Sequence, residues 1–159
     1  QCRKNLYFSL IYSSLIYCIE IYGSAKRKYL NPLIIKCNSL LRSLQDRTRF
    51  DHVKDFYITY NTLPVHLLYK LFLLKLMHRF IYCRQSLPDV ISKLFCSNID
   101  VHSYNTRSKD QFNLNYATKC NSISYIGPSL WLRLPSNIRD CPSQSGFVRL
   151  YKFLLFQEL

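Results

Sequence analysis

Lys26-Arg27-Lys28 and Arg47-x-Arg49, with Lys36 and Arg42 between them, are the residues whose type and spacing suit a definite chemistry. That chemistry is neutralisation of phosphates, which Lys and Arg perform without reading base sequence. Lys plus Arg number 22 against 9 Asp plus Glu, a formal net charge of +13. Residues 1–50 alone hold 9 basic and 2 acidic side chains. A field of that size repels itself in the folded state, so its expected counterpart is a polyanion. Nucleic acid is the first candidate and an anionic membrane face the second. For any single cation, a solvated surface charge is the plainer reading.

Bond-breaking constellations are missing. The glycines stand alone at 23, 127 and 146, so no Gly-rich loop cradles a phosphate. No two aspartates are adjacent, which removes the paired-carboxylate pattern of two-metal catalysis. Asp51 and Asp55 share a helical face beside His52, but carboxylates one turn apart on an exposed helix are ordinary. The histidines at 52, 66, 78 and 102 are too scattered to nominate a base. Seven cysteines at 2, 18, 37, 83, 96, 120 and 141 form no C-x-x-C, and only forced folding would join Cys96, His102 and Cys120 at a metal. They read as reduced, mostly buried thiols of an intracellular protein, nuclear or cytoplasmic. The chain is expected to catalyse nothing alone and to hold no metal.

Composition and periodicity place these residues on a mainly α chain. Hydrophobic residues make up 48% and aromatics 15%, with 3 Gly and 6 Pro, a composition that excludes disorder. A first helix is expected over 5–22, ended by Gly23 as a left-handed C-cap. Its apolar run from Leu6 to Tyr22 is 17 residues, at the short limit for spanning a bilayer. The run carries Ser9, Ser13 and Glu20 on one stripe, as in a helix buried on most sides rather than a membrane anchor. Asn31 and Pro32 open a second helix whose apolar face is Leu33, Cys37, Leu40, Leu41 and Leu44. A shorter helix follows near 51–61, and Leu63-Pro64 begins the longest, over 64–83.

Beyond Pro88 and a weak turn the character changes. Residues 97–121 are polar and loop-rich, and 122–126 alternate as a short strand. Gly127-Pro128 is expected to turn, with Pro128 starting a single helical turn that carries Trp131 and stops at Pro135. Trp131, the only Trp, reads as an apolar plug for a C-terminal core. Phe147, Leu150, Tyr151, Leu154 and Leu155 give a final amphipathic helix. The expected organisation is a helical bundle over 1–85, then an extension over 86–159 with one or two short strands and a terminal helix. A first residue of Gln rather than Met suits a fragment or a processed piece.

Three blocks in order carry a resemblance. They are His102-Ser103-Tyr104-Asn105-Thr106-Arg107-Ser108, Tyr125-Ile126-Gly127-Pro128-x-x-Trp131-x-x-Leu134-Pro135, and Phe147-x-x-x-Tyr151-Lys152-x-x-Leu155. With Tyr22-Gly23-Ser24-Ala25, Leu40-Leu41-Arg42 and Leu63-Pro64 ahead of them, the chain resembles, over nearly its whole length, the C-terminal part of reverse transcriptases from non-LTR (LINE-type, Jockey-like) retrotransposons. It departs from that pattern at Tyr22, where the family has Trp, and at Lys36-Cys37-Asn38, where it has Gln-Lys. It departs again at Leu132, where the family has Asn, as in a divergent or decayed copy.

The resemblance implies a thumb-like helical subdomain that tracks primer–template duplex and an extension that holds template RNA. The Mg²⁺-binding polymerase palm would lie upstream in the same polypeptide, and would be this chain's protein partner. Lys26, Arg27, Lys28, Lys36, Arg42, Arg47 and Arg49 are then the expected backbone contacts, and Arg107 with Lys109 a second basic site. Gly127, Pro128, Trp131 and Pro135 form the structural motif. No stable membrane association and no cofactor are expected. The competing readings are a basic membrane-associated protein anchored by residues 6–22, or an inert remnant of a dead element. Cut from its neighbour, such a chain is expected to expose apolar surface on its first helix.

Overall fold

Apolar side chains at helical spacing, few glycines and few β-branched runs make helix the dominant local state, and the computed structural model is mainly helical. It describes residues 2–95, 112 and 122–159. The expected loop-rich 97–121, with Arg107 and Lys109, lies outside the described residues apart from Phe112. The chain divides into two compact units, residues 1–69 with 152–159, and residues 70–151. This division cuts elsewhere than the 85/86 boundary that composition suggested.

The first unit begins with a helical run made of α1 (Cys2–Leu6), a π-helical stretch Tyr7–Tyr12, and α2 (Ser13–Ile16). Inside it Ser13 Oγ donates to the Ser9 carbonyl at 2.6 Å and Ser14 Oγ to that of Leu10 at 2.8 Å, which lets serine persist mid-helix. The run does not reach residue 22. Tyr17 turns extended (ψ 116°) and Cys18 takes a left-handed φ of 54°, so α3 (Ile19–Tyr22) is separate. Gly23 is not the left-handed cap either, with φ −66°. Glycine stands there because a Cβ would collide with the Tyr69 ring. The first helix is also not buried on most sides. Tyr7, Leu15 and Ile19 are inside, while Leu10, Tyr17 and Ile21 face solvent, the exposed apolar surface that was expected there.

Helix α4 (Arg27–Leu44) starts five residues ahead of Pro32 rather than at it, with Lys26 as N-cap. Pro32 sits in an exposed position inside the helix, where only the bond to the Lys28 carbonyl is forfeited. Cys37 and Leu41 are its buried positions. Leu41 packs with Tyr7, Phe56, Tyr57 and Tyr60, and Cys37 with Leu15 and Val65. Helix α5 (Lys54–Thr59) supplies Phe56 and Tyr57, and Tyr57 Oη donates to Asn38 Oδ1 at 2.7 Å. Leu155 returns to this unit fully buried, and Lys152 Nζ donates to the Asn61 carbonyl at 2.6 Å.

Helix α6 (Val65–Tyr82) matches the expected central helix and continues into the second unit. There, a 3₁₀ turn (Arg84–Ser86) and α7 (Asp89–Ser92) follow it. The expected strand at 122–126 is instead the start of α8 (Ile123–Leu132). Ser122 caps it by accepting from the Ser124 N–H at 3.2 Å, and five alternating residues do not outweigh a capped helix start. Gly127-Pro128 is therefore helix interior, not a turn. A Cβ at Gly127 would sit 2.9 Å from Met77 Sδ, so this glycine serves close packing. Pro135 is the N-cap of α9 (Ser136–Arg139), and α10 (Gln144–Gln157) is the expected final helix. Trp131, 4% exposed, stacks on Phe147 at 5.5 Å between ring centroids, with His78 edge-on at 6.3 Å. It is the plug that the sequence suggested.

Truncating this ring to Ala should remove about 3–5 kcal/mol of stability, as for other buried aromatics. Chemical denaturation of Trp131→Ala followed by circular dichroism measures it, and a loss under about 1 kcal/mol would show the ring to be peripheral. The first unit has a separate signature. Burial raises the Tyr7 and Tyr57 phenols and pushes Tyr69 up to about 12. A phenol raised in the folded state keeps its stabilising effect below the unfolded value of about 10 and loses it as pH climbs toward the folded one. Tyrosinate absorbance should therefore rise together with loss of helix between about pH 10 and 12. Smooth titration without unfolding would contradict these burials.

Candidate nucleic-acid interface

The period of α4 decides where its cations point. Leu41 and Cys37 face inward, so residues on the opposite side must face water. Lys28, Ile35, Ser39 and Arg42, spaced 7, 4 and 3 apart, share that side. From Lys28 to Arg42 the stripe runs about 21 Å along the helix axis. Lys36 adjoins it, exposed beside buried Cys37.

At the C-terminal end of α4 the stripe opens into a groove. Asp46 takes a left-handed φ of 53° and the chain closes as a Schellman motif. The Arg47 N–H donates to the Arg42 carbonyl at 2.9 Å and the Asp46 N–H to that of Ser43 at 3.3 Å. Asp46 also pairs with Arg3, an exposed contact of little energetic weight. The following turn is tied to the helix. Arg42 Nε donates to the Asp51 carbonyl at 3.0 Å, the Thr48 N–H to Asp51 Oδ2 at 2.8 Å, and the Asp51 N–H to the Thr48 carbonyl at 3.3 Å. Ile35, Ser39, Arg42, Ser43, Arg47 and Arg49 line the resulting groove of about 470 Å³.

The electrostatics favour an anion. Arg42 is half-buried against the turn, and Arg47 and Arg49 are exposed. Among the described residues none of Lys26, Arg27, Lys28, Lys36, Arg42, Arg47 and Arg49 forms an ion pair with a carboxylate. The Asp51 carboxylate in the same turn accepts from the Thr48 N–H. At the other end of α4, Lys26, Arg27 and Lys28 crowd the positive end of the helix dipole with no acid in the first turn. Lys28 Nζ lies 4.8 Å from the centroid of the exposed Tyr29 ring.

Of the nine expected phosphate contacts, the structure gathers Arg42, Arg47 and Arg49 into one groove and sets Lys28 and Lys36 along the approach. Lys26 and Arg27 are exposed at the far end, and Arg107 and Lys109 lie outside the described residues. Periodicity had not singled out Ile35, Ser39 and Ser43. The signal was there, since they sit opposite the Cys37–Leu41 stripe.

Other constellations resolve simply. Asp51, His52 and Asp55 line a neighbouring groove, but among the described residues no three His, Cys, Asp or Glu side chains gather as a metal site. His78 is buried, its Nε2–H donating to the Cys141 carbonyl at 2.8 Å. Among the described residues the thiols are not mostly buried. Cys37 is inside, Cys141 is half-exposed, and Cys2, Cys18 and Cys83 face solvent. Among the described residues no helix is long and apolar enough to cross a membrane. Comparison of the chain with protein-family models, with characterised proteins and with solved structures finds no significant match.

Proposed function

We propose that this chain is the C-terminal part of a retrotransposon RNA-directed DNA polymerase, binding template RNA or primer–template duplex through its phosphates and lacking the catalytic palm. One observation carries the binding half of the reading: a groove at the end of α4 lined by three arginines that, among the described residues, have no carboxylate partner. The exposed guanidinium groups of Arg47 and Arg49 offer donors to phosphate oxygens, and Arg42, with its Nε spent on the Asp51 carbonyl, adds its charge. The order of the three sequence blocks supports the family half, and Lys28 and Lys36 extend the cationic track.

A second reading draws on exposed Leu10, Tyr17 and Ile21, which would suit insertion into an anionic lipid surface. Flotation with anionic liposomes separates the two. Under the nucleic-acid reading, a high-salt wash leaves the protein out of the lipid fraction.

The direct test is filter binding of short RNA across a salt series. Each phosphate contact contributes about 0.7–0.9 to the steepness of log affinity against log salt. Arg47→Ala with Arg49→Ala should weaken binding alike for all sequences and flatten that slope by about 1 per arginine removed. Absent binding at low salt, or a slope unchanged in the double variant, would overturn the reading.

A further inference from the structure

The turn that carries Arg47 and Arg49 ends in Phe50, which is 91% exposed, the most open large apolar residue among those described. An apolar ring so placed on a loose strap would mean little. This turn is not loose. It is closed at one end by the left-handed Asp46 and at the other by the bonds from Arg42 Nε and the Thr48 N–H to Asp51. Phe50 therefore stands in water on a braced corner, adjacent in sequence to one groove arginine and one residue from the anchor that holds another.

We infer that this groove takes single-stranded nucleic acid in preference to duplex, with Phe50 as the ring on which an unpaired base stacks. The inference rests on the reading that the groove meets a polynucleotide backbone, and it narrows that reading to one kind of strand. Three guanidinium groups ask for an anion. An exposed ring next in sequence to Arg49 asks for a π-face near a phosphate. Only a strand with unstacked bases offers both, because in a duplex the base faces are occupied by their neighbours. Exposed Ser39 and Ser43 add hydroxyl donors to the groove, and exposed Ile35 gives it one apolar wall. Guanidinium contacts to phosphate and stacking of a base on a ring are indifferent to base identity, so the preference is for strand type and not for sequence.

The 159-residue chain, titrated with a short single-stranded RNA and with an RNA–DNA duplex of equal length, tests this. The unmodified chain should bind the single strand more tightly. Phe50→Ala should weaken single-strand binding by about 5- to 150-fold, the loss of one stacked base, and leave duplex binding unchanged. Phe50→Trp should retain affinity and show quenched emission on binding, over a constant background from buried Trp131. Equal loss on both ligands, or tighter binding of the duplex, would overturn the strand preference while the backbone reading stands. Binding to neither overturns both. Binding to anionic vesicles that Phe50→Ala abolishes, without RNA binding, would assign the ring to lipid and overturn the inference.

Discussion

Burial of Leu41 against Tyr7, Phe56, Tyr57 and Tyr60 is the contact on which the rest of the first unit depends. A helix has one orientation once its apolar stripe is placed, so sinking Leu41 and Cys37 turns Lys28, Ser39 and Arg42 to the solvent. The same packing sets the end of α4, and that end sets the turn with Arg47, Arg49 and Phe50. Cations there are thus positioned by hydrophobic burial rather than, among the described residues, by partners of opposite charge. That is why they remain available.

The aromatic content follows the same division of labour. Tyr7, Tyr57 and Tyr60 are core groups, and the raised phenols of Tyr7 and Tyr57 are the consequence of burial. Trp131, Phe147 and Tyr151 stack in the second unit and leave no face for a ligand. Exposed Tyr29 and Phe50 lie instead in the basic stretches of the first unit. The rings buried in each unit and the rings offered to solvent are different sets; of the offered ones Tyr29 and Phe50 adjoin Lys28 and Arg49 in sequence, whereas Tyr17 lies in an apolar stretch.

Much of this was legible in the sequence wherever a long apolar period set the structure. The central helix over 64–83 and the final helix near 147–155 were readable because their Leu and Phe spacing allows little else. The two proline-bearing helices misled for a shared reason. Pro32 and Pro128 look like helix starts, yet a proline in an early turn forfeits only one backbone bond; Ser122 caps the helix ahead of Pro128, while α4 extends ahead of Pro32 without a side-chain cap. Gly23 misled similarly, since its missing Cβ makes room for Tyr69 and not for a positive φ. The left-handed positions fell on Cys18, Asp46 and Asn61, where composition gives weak warning. The basic clusters were plain from spacing, but their grouping at one end of α4 needed the Schellman closure at Asp46, and so did the pose of Phe50.

The central claim is that Arg42, Arg47 and Arg49 act together as an anion-binding corner for a polynucleotide. Arginine-selective modification with phenylglyoxal, mapped by mass spectrometry with and without saturating RNA, addresses it residue by residue. The account predicts that these three are protected while Arg133 and Arg149, carried by the other unit, stay as reactive as in the free protein. Uniform protection of all five, or none at the three, would contradict it.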